Sequence, residues 1–319
     1  MSLKFGIVKE LNQELDRRVA FSPTQLEELK LRYPQLEFRV ESSDNRIFTD
    51  EEYESKGITV SSDISDCDVL IGINPIAPSN LILGKEYLFV TDLIKKVNPL
   101  FTLDALTGLV GTYNAFRAFG LKFELFKLPA IATFSDQASL ITYLKRPVLP
   151  PLKITFIGSE ANLEGAEVIM KALKIKKVSS DDFLSKNYAQ AIYTFIDSPE
   201  QINLESFTTV SDICIINSSI KGKSVLVSQE LLNTKDGKLR VVADLNPMST
   251  NSIACTLRQS TPEDPFYGYL PNENKEVDLH HPGAIVVVAV PDTTIEYPKE
   301  TSEFIGSQLA QYYIPTVFK

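Results

Sequence analysis

Short apolar runs alternate along this chain with segments whose apolar residues recur at helical spacing, from the first strand onward. Residues 4–8 form a short apolar strand. Ser22-Pro23-Thr24-Gln25 reads as a capping box with proline in the first helical position, and the helix it opens carries Leu26, Leu29 and Tyr33 on one face. Residues 37–41 alternate as a strand does. Thr49-Asp50-Glu51-Glu52 is a second capping box, and Gly57 stands where its helix should stop. Further strands are expected at 58–60, 69–73 and 87–90. Such an alternation is buried most simply by a parallel sheet with helices on its faces.

A helix should start near Phe134-Ser135-Asp136-Gln137 and end at Arg146-Pro147-Val148-Leu149-Pro150-Pro151, a proline cluster that reads as a domain boundary. The alternation then restarts. A strand over 153–157 ends at Gly158, and Ala166, Ile169, Met170 and Leu173 line one face of the following helix. Strands over 191–196, 213–216, 239–243 and 285–290 are continuously apolar, as strands covered on both faces should be. A last helix spans 298–313.

Length and composition narrow this picture. At 319 residues the chain exceeds what one core usually serves, so two domains are expected. A net charge of −9 with no basic run argues against a nucleic-acid partner. The longest uncharged apolar stretch, 284–291, is too short to span a bilayer, and the first residues run into a strand with no signal-peptide core, so we expect a cytoplasmic protein without membrane contact. Cys67, Cys214 and Cys255 are odd in number, widely spaced and set in or beside apolar runs, which points to buried thiols and to no metal site.

Ligands of open parallel sheets bind beyond the carboxyl ends of the strands. In the second half those ends carry Gly158, Asp197, Asn217, Asp244 and Asp292. A strand, Gly158 and then a helix is the context of a phosphate-binding turn. Asp181, about twenty residues on, is spaced to take the adenine-side ribose hydroxyls, or else to cap the next helix. The turn itself departs from Gly-x-Gly-x-x-Gly. It reads Gly158-Ser159-Glu160-Ala161-Asn162-Leu163-Glu164-Gly165, with the anionic Glu160 where a pyrophosphate should come closest.

Phe5-Gly6-Ile7-Val8-Lys9-Glu10, then Arg18-Val19-Ala20-Phe21-Ser22-Pro23 and Phe48-Thr49-Asp50-Glu51-Glu52-Tyr53, resemble the opening of the alanine dehydrogenase and transhydrogenase family. Val241-Val242-Ala243-Asp244, and Val290-Pro291-Asp292 followed by Pro298-Lys299-Glu300-Thr301-Ser302-Glu303-Phe304, resemble its lysine-forming saccharopine dehydrogenase branch. The resemblance implies two Rossmann-like domains with parallel sheets and an interdomain cleft. It implies a discontinuous substrate-side domain over 1–130 and 295–319, a connecting helix and proline linker over 131–150, and a dinucleotide-binding domain over 151–294. NAD would accept a hydride from an amino acid or an adduct such as saccharopine. Arg18 would pair with the substrate carboxylate, a task suited to its planar fork, and Asp292 would lie near the nicotinamide. Gly158, Asp181, Asn217 and Asp244 would hold the cofactor.

Departures from the family matter as much. Its catalytic lysine belongs at the end of the fourth strand, which here reads Val69-Leu70-Ile71-Gly72-Ile73-Asn74-Pro75. Its histidine belongs on the next strand, which here reads Leu88-Phe89-Val90-Thr91-Asp92-Leu93. The two histidines of the chain, His280 and His281, fall in a loop of the other domain, and Lys95 and Lys96 are poor bases at neutral pH. Amine oxidation needs a group to take the N–H proton as hydride leaves. Two expectations stand: an NAD-dependent oxidoreductase acting on an amino-acid C–N bond, or a degenerate relative that binds a carboxylate ligand, a nucleotide or a protein partner.

Overall fold

The computed structural model describes residues 3–10, 16–96, 102–197, 203–217, 227–234, 237–247 and 252–318. The chain forms two compact units, one from 1–102 with 297–319 and the other from 103–296.

The first unit holds β1 (Leu3–Ile7), α1 (Pro23–Arg32), β2 (Leu36–Glu41), α2 (Asp50–Ser55), β3 (Thr59–Ser61), β4 (Val69–Gly72), β5 (Glu86–Phe89) and α3 (Val90–Lys96). Its five strands are all parallel, in the order β3-β2-β1-β4-β5. Both capping boxes form, because Ser22 and Thr49 each accept the third backbone N–H of their helix while Gln25 and Glu52 reach back. Gly57 has φ +68°, the left-handed turn that ends α2. The helix Pro298–Gln308 belongs to this unit. Ser302 Oγ accepts the Val19 N–H at 2.9 Å, and Gln25 Nε2 donates to the Glu303 carbonyl at 2.6 Å.

The second unit opens with α4 (Asp104–Lys122), which the amphipathic pattern did not show. This helix is buried nearly all round, so it lacks the polar stripe that marks a surface helix. After it come α5 (Gln137–Leu144), β6 (Lys153–Ile157), α6 (Glu160–Ala172), β7 (Lys176–Lys177), α7 (Ser180–Ser185), β8 (Ile192–Ile196), α8 (Leu204–Val210), β9 (Ile213–Ile216), α9 (Gln229–Leu232), β10 (Val241–Asp244), β11 (Phe266–Leu270), β12 (Lys275–Val277) and β13 (Ile285–Val288). The sheet order is β12-β11-β13-β10-β9-β6-β8-β7. The expectation of an all-parallel sheet is corrected here, since β11 runs antiparallel to both β12 and β13. The 266–277 stretch is a hairpin, and a short turn can join only antiparallel neighbours.

The segment 103–150 packs within this unit, with the proline cluster inside it and not at its border. α4 and α6 approach through glycines. A Cβ on Gly165 would lie 1.6 Å from the Ala105 carbonyl oxygen, and one on Gly108 would lie 1.9 Å from that of Asn162. No helix among the described residues is long and apolar enough to cross a membrane.

Candidate functional site

In the first unit the carboxyl ends of β1 and β4 are neighbours, so the residues just beyond them converge. Glu10 follows β1. Its carboxylate accepts the backbone N–H groups of Ile73 (2.8 Å) and Asn74 (3.2 Å) and the Asn74 side-chain amide (3.0 Å). The same amide donates to Asp16 Oδ2 at 2.9 Å. Asp16 in turn grips Arg18 with both oxygens, through Nε at 2.8 Å and Nη2 at 2.6 Å, and accepts the Arg18 backbone N–H at 3.1 Å. Asp16 and Arg18 are 2% and 3% exposed, so the pair is closed off from water. Burial raises the Glu10 carboxyl above its ordinary range; the bonds from Ile73 and Asn74 oppose that, and the nearby Asp16 charge adds to it.

The Arg18 fork, which the resemblance assigns to a substrate carboxylate, is held here by the internal carboxylate of Asp16. The sequence does not mark Asp16 or Glu10 as site residues. Asp16 lies only two residues from Arg18, yet nothing in the spacing says that its side chain turns back onto the guanidinium. The strand end expected to bear a lysine presents Ile73 and Asn74, and Asn74 links the two acids. Thr91, on the segment expected to bear a histidine, donates its N–H to the Ile73 carbonyl at 3.0 Å, and its buried Oγ1 has no hydrogen-bond partner among the described residues. Lys95 and Lys96 belong to α3, but their side chains lie outside the described residues.

The second crest runs along the carboxyl ends of β8, β6, β9, β10 and β13. Gly158 follows β6, and its N–H donates to the Ile196 carbonyl at 3.2 Å, which puts Asp197 next to the turn. Asp197 is exposed. Asp181 lies elsewhere: it is in the first turn of α7, after β7, and β8 separates β7 from β6. Spacing alone put Asp181 beside Gly158; the strand order puts Asp197 there.

Ser159 caps α6, its hydroxyl accepting the Asn162 N–H at 3.2 Å and donating to Asn162 Oδ1 at 2.9 Å. Asn162 is fully buried and bound on every side, taking Asn217 Nδ2 at 2.8 Å and giving Nδ2 to the Asp104 carbonyl at 2.9 Å. Asp244 is 3% exposed and accepts the Asn246 N–H (3.1 Å) and the Thr256 hydroxyl (3.0 Å). Asp292 caps the turn after β13, accepting the Thr294 N–H (3.1 Å) and hydroxyl (2.6 Å). His280 and His281 precede β13 and so lie at the opposite, amino end of the sheet. There His281 lines a cavity of about 450 Å³ with Arg240, Asn233, Asn272 and Glu273. No group of three or more His, Cys, Asp or Glu among the described residues is arranged to hold a metal.

Residues 6–104 match the family model of the alanine dehydrogenase/PNT N-terminal domain. Among solved structures, an L-alanine dehydrogenase superimposes with a TM-score of 0.62 at 14% identity, over 99% of this chain and 90% of that one. A transhydrogenase from Sinorhizobium meliloti gives 0.59 at 16% identity, over 98% and 94%. No curated protein matches the sequence. At these identities the likeness is one of fold: an alanine dehydrogenase-type α/β architecture with one parallel and one mixed sheet.

Alanine dehydrogenase-type folds imply a dinucleotide whose pyrophosphate would rest on the helix N-terminus after β6. The residues there do not fit that group. Ser159 already supplies the oxygen that the helix N-terminus seeks, the Asn162 backbone N–H is spent on it, and Glu160 adds a negative charge to the first turn. Aspartates at the crest remain, but the helix N-terminus beside them is capped by the chain's own Ser159.

Proposed function

We propose that this chain keeps the alanine dehydrogenase-type scaffold but not its hydride chemistry, and acts as a binding protein for a small amino acid or dicarboxylate at the crest of its first unit. The observation that carries this reading is the closed network Glu10–Asn74–Asp16–Arg18. Where the resemblance places a lysine, an amide joins two acids, and an amide neither takes nor gives a proton near neutral pH. An incoming carboxylate must displace Asp16 from Arg18, so binding should be weak and lost in Arg18→Ala.

A second reading has its own observation. Asp197 beside Gly158 is placed as a ribose-binding acid would be, which favours an NAD-dependent oxidoreductase acting on an amino-acid C–N bond, with alanine or saccharopine as the test substrates. Calorimetric titration with NAD and NADH, followed by assay with alanine and with saccharopine, separates the two. The binding reading expects no dissociation constant below about 1 mM, roughly −4 kcal/mol, and no NADH formed. Micromolar NAD binding with turnover near 1 per second, an ordinary enzymatic rate, would establish the second reading instead.

A further inference from the structure

The second unit ends on a 3₁₀ turn, Thr293–Glu296, after which the chain returns to the first unit. Glu296 is 7% exposed and faces α4, where Asn114 Nδ2 donates to both of its oxygens at 2.9 and 3.0 Å. Asn114 is fully buried, and its own Oδ1 has no partner among the described residues. Arg117, one turn further along α4, gives Nε to the Leu128 carbonyl at 3.2 Å and lies over the Phe266 ring at 5.1 Å, and its buried Nη1 has no hydrogen-bond partner among the described residues. The other charges acting on Glu296 are Asp292, at the head of the same turn, and Glu263.

An ionised carboxylate and an amide oxygen are both acceptors only. With Glu296 ionised, the Asn114 oxygen is left in the interior without a donor, which is unfavourable for a buried polar atom. A protonated Glu296 supplies the missing O–H. The amide can then pair with it edge to edge, N–H to one oxygen and O–H back to Oδ1.

We propose that Asn114 and Glu296 form a proton-dependent clasp, a neutral acid–amide ring that holds the exit turn of the second unit to α4 and that gives way to a single Asn114 donor spanning both oxygens when Glu296 loses its proton. Burial sets the working range. It pushes the Glu296 carboxyl up to about 7; the Asn114 donor and the Arg117 charge oppose the rise, while Glu263 and Asp292 add to it. The folded value lies above the ordinary 4.5. The clasp's stabilisation is therefore complete below that pH and is lost as pH rises through about 7.

The test is infrared titration of the whole protein across neutral pH, with Glu296→Gln, Glu10→Gln and Asp212→Asn alongside. Wild type should show a carboxylic-acid carbonyl band that disappears with a midpoint near 7. The band should be absent from Glu296→Gln and kept in Glu10→Gln and in Asp212→Asn, which control for the other carboxyls that burial raises. Glutamine mimics the neutral ring permanently. Its melting temperature should therefore match wild type below about pH 4.5 and exceed it by roughly 5 °C at alkaline pH. No titrating band, a band lost in Glu10→Gln or in Asp212→Asn, or parallel stability profiles for wild type and Glu296→Gln would each overturn the clasp. If Glu296→Gln does not fold, the midpoint of the wild-type band and its survival in Glu10→Gln and in Asp212→Asn decide the matter.

Discussion

Asp16 and Arg18 show how one side chain can redirect a motif. A buried ion pair is a modest source of net stability, but removing one partner strands the other charge and costs about 3–5 kcal/mol. Asp16→Ala should lower the unfolding free energy in urea by that amount. Asp16→Asn keeps the shape and weakens the grip on the guanidinium, so a small dicarboxylate should bind at least about tenfold more tightly, about 1.4 kcal/mol by calorimetry. Adding Arg18→Ala should erase the gain. Unchanged dicarboxylate affinity in Asp16→Asn would show that Arg18 is not gated by its neighbour. Arg18 was legible from its motif because the residue type and position carry it. Its availability was not, because whether a fork is free depends on which side chains fold against it.

At the scale of elements, α6 carries two tests. Its first turn is closed by Ser159 and made anionic by Glu160, so the double substitution Ser159→Gly with Glu160→Gly should tighten NAD binding at least about tenfold. In that background Asp197→Ala should cancel the gain and Asp181→Ala should not; the reverse would restore the spacing argument over the strand order. Further along, Gly165→Ala drives a methyl into the Ala105 backbone of α4 and should cost roughly 3 kcal/mol in urea unfolding, the upper part of the usual range for overpacking. A neutral effect there would mean that α4 and α6 can separate without loss. Elements with a polar face or a capping signal, such as α1, α2 and α5, were readable from local pattern. α4 was not, because a helix buried on all sides has no amphipathic period to detect.

For the whole molecule, the division of the chain makes a sharp comparison. A fragment of residues 103–296 contains α4, α6 and the entire mixed sheet, and should fold alone with a single cooperative melting transition. A fragment of residues 151–294, the span suggested by the proline cluster, lacks α4 and Glu296. It exposes the face where Gly108 and Gly165 bring two helices together, and should aggregate or melt without cooperativity. Circular dichroism melts of the two fragments check both statements, and a well-folded 151–294 would return the boundary to the prolines.

Much of this protein is determined locally. Strand runs, capping boxes and the glycine stop of α2 follow from side-chain size, hydrogen-bonding groups and backbone freedom within a few residues, and these place most of both sheets. Long-range geometry decided the rest. Strand order set Asp197, and not Asp181, beside Gly158; the neighbouring strand end brought Asn74 onto Glu10 and Asp16; and α4 supplied Asn114, 182 residues upstream, as the amide that donates to Glu296. Each of these is a meeting of groups whose separation along the chain carries no information about their separation in space, so only the packed fold could bring them to light.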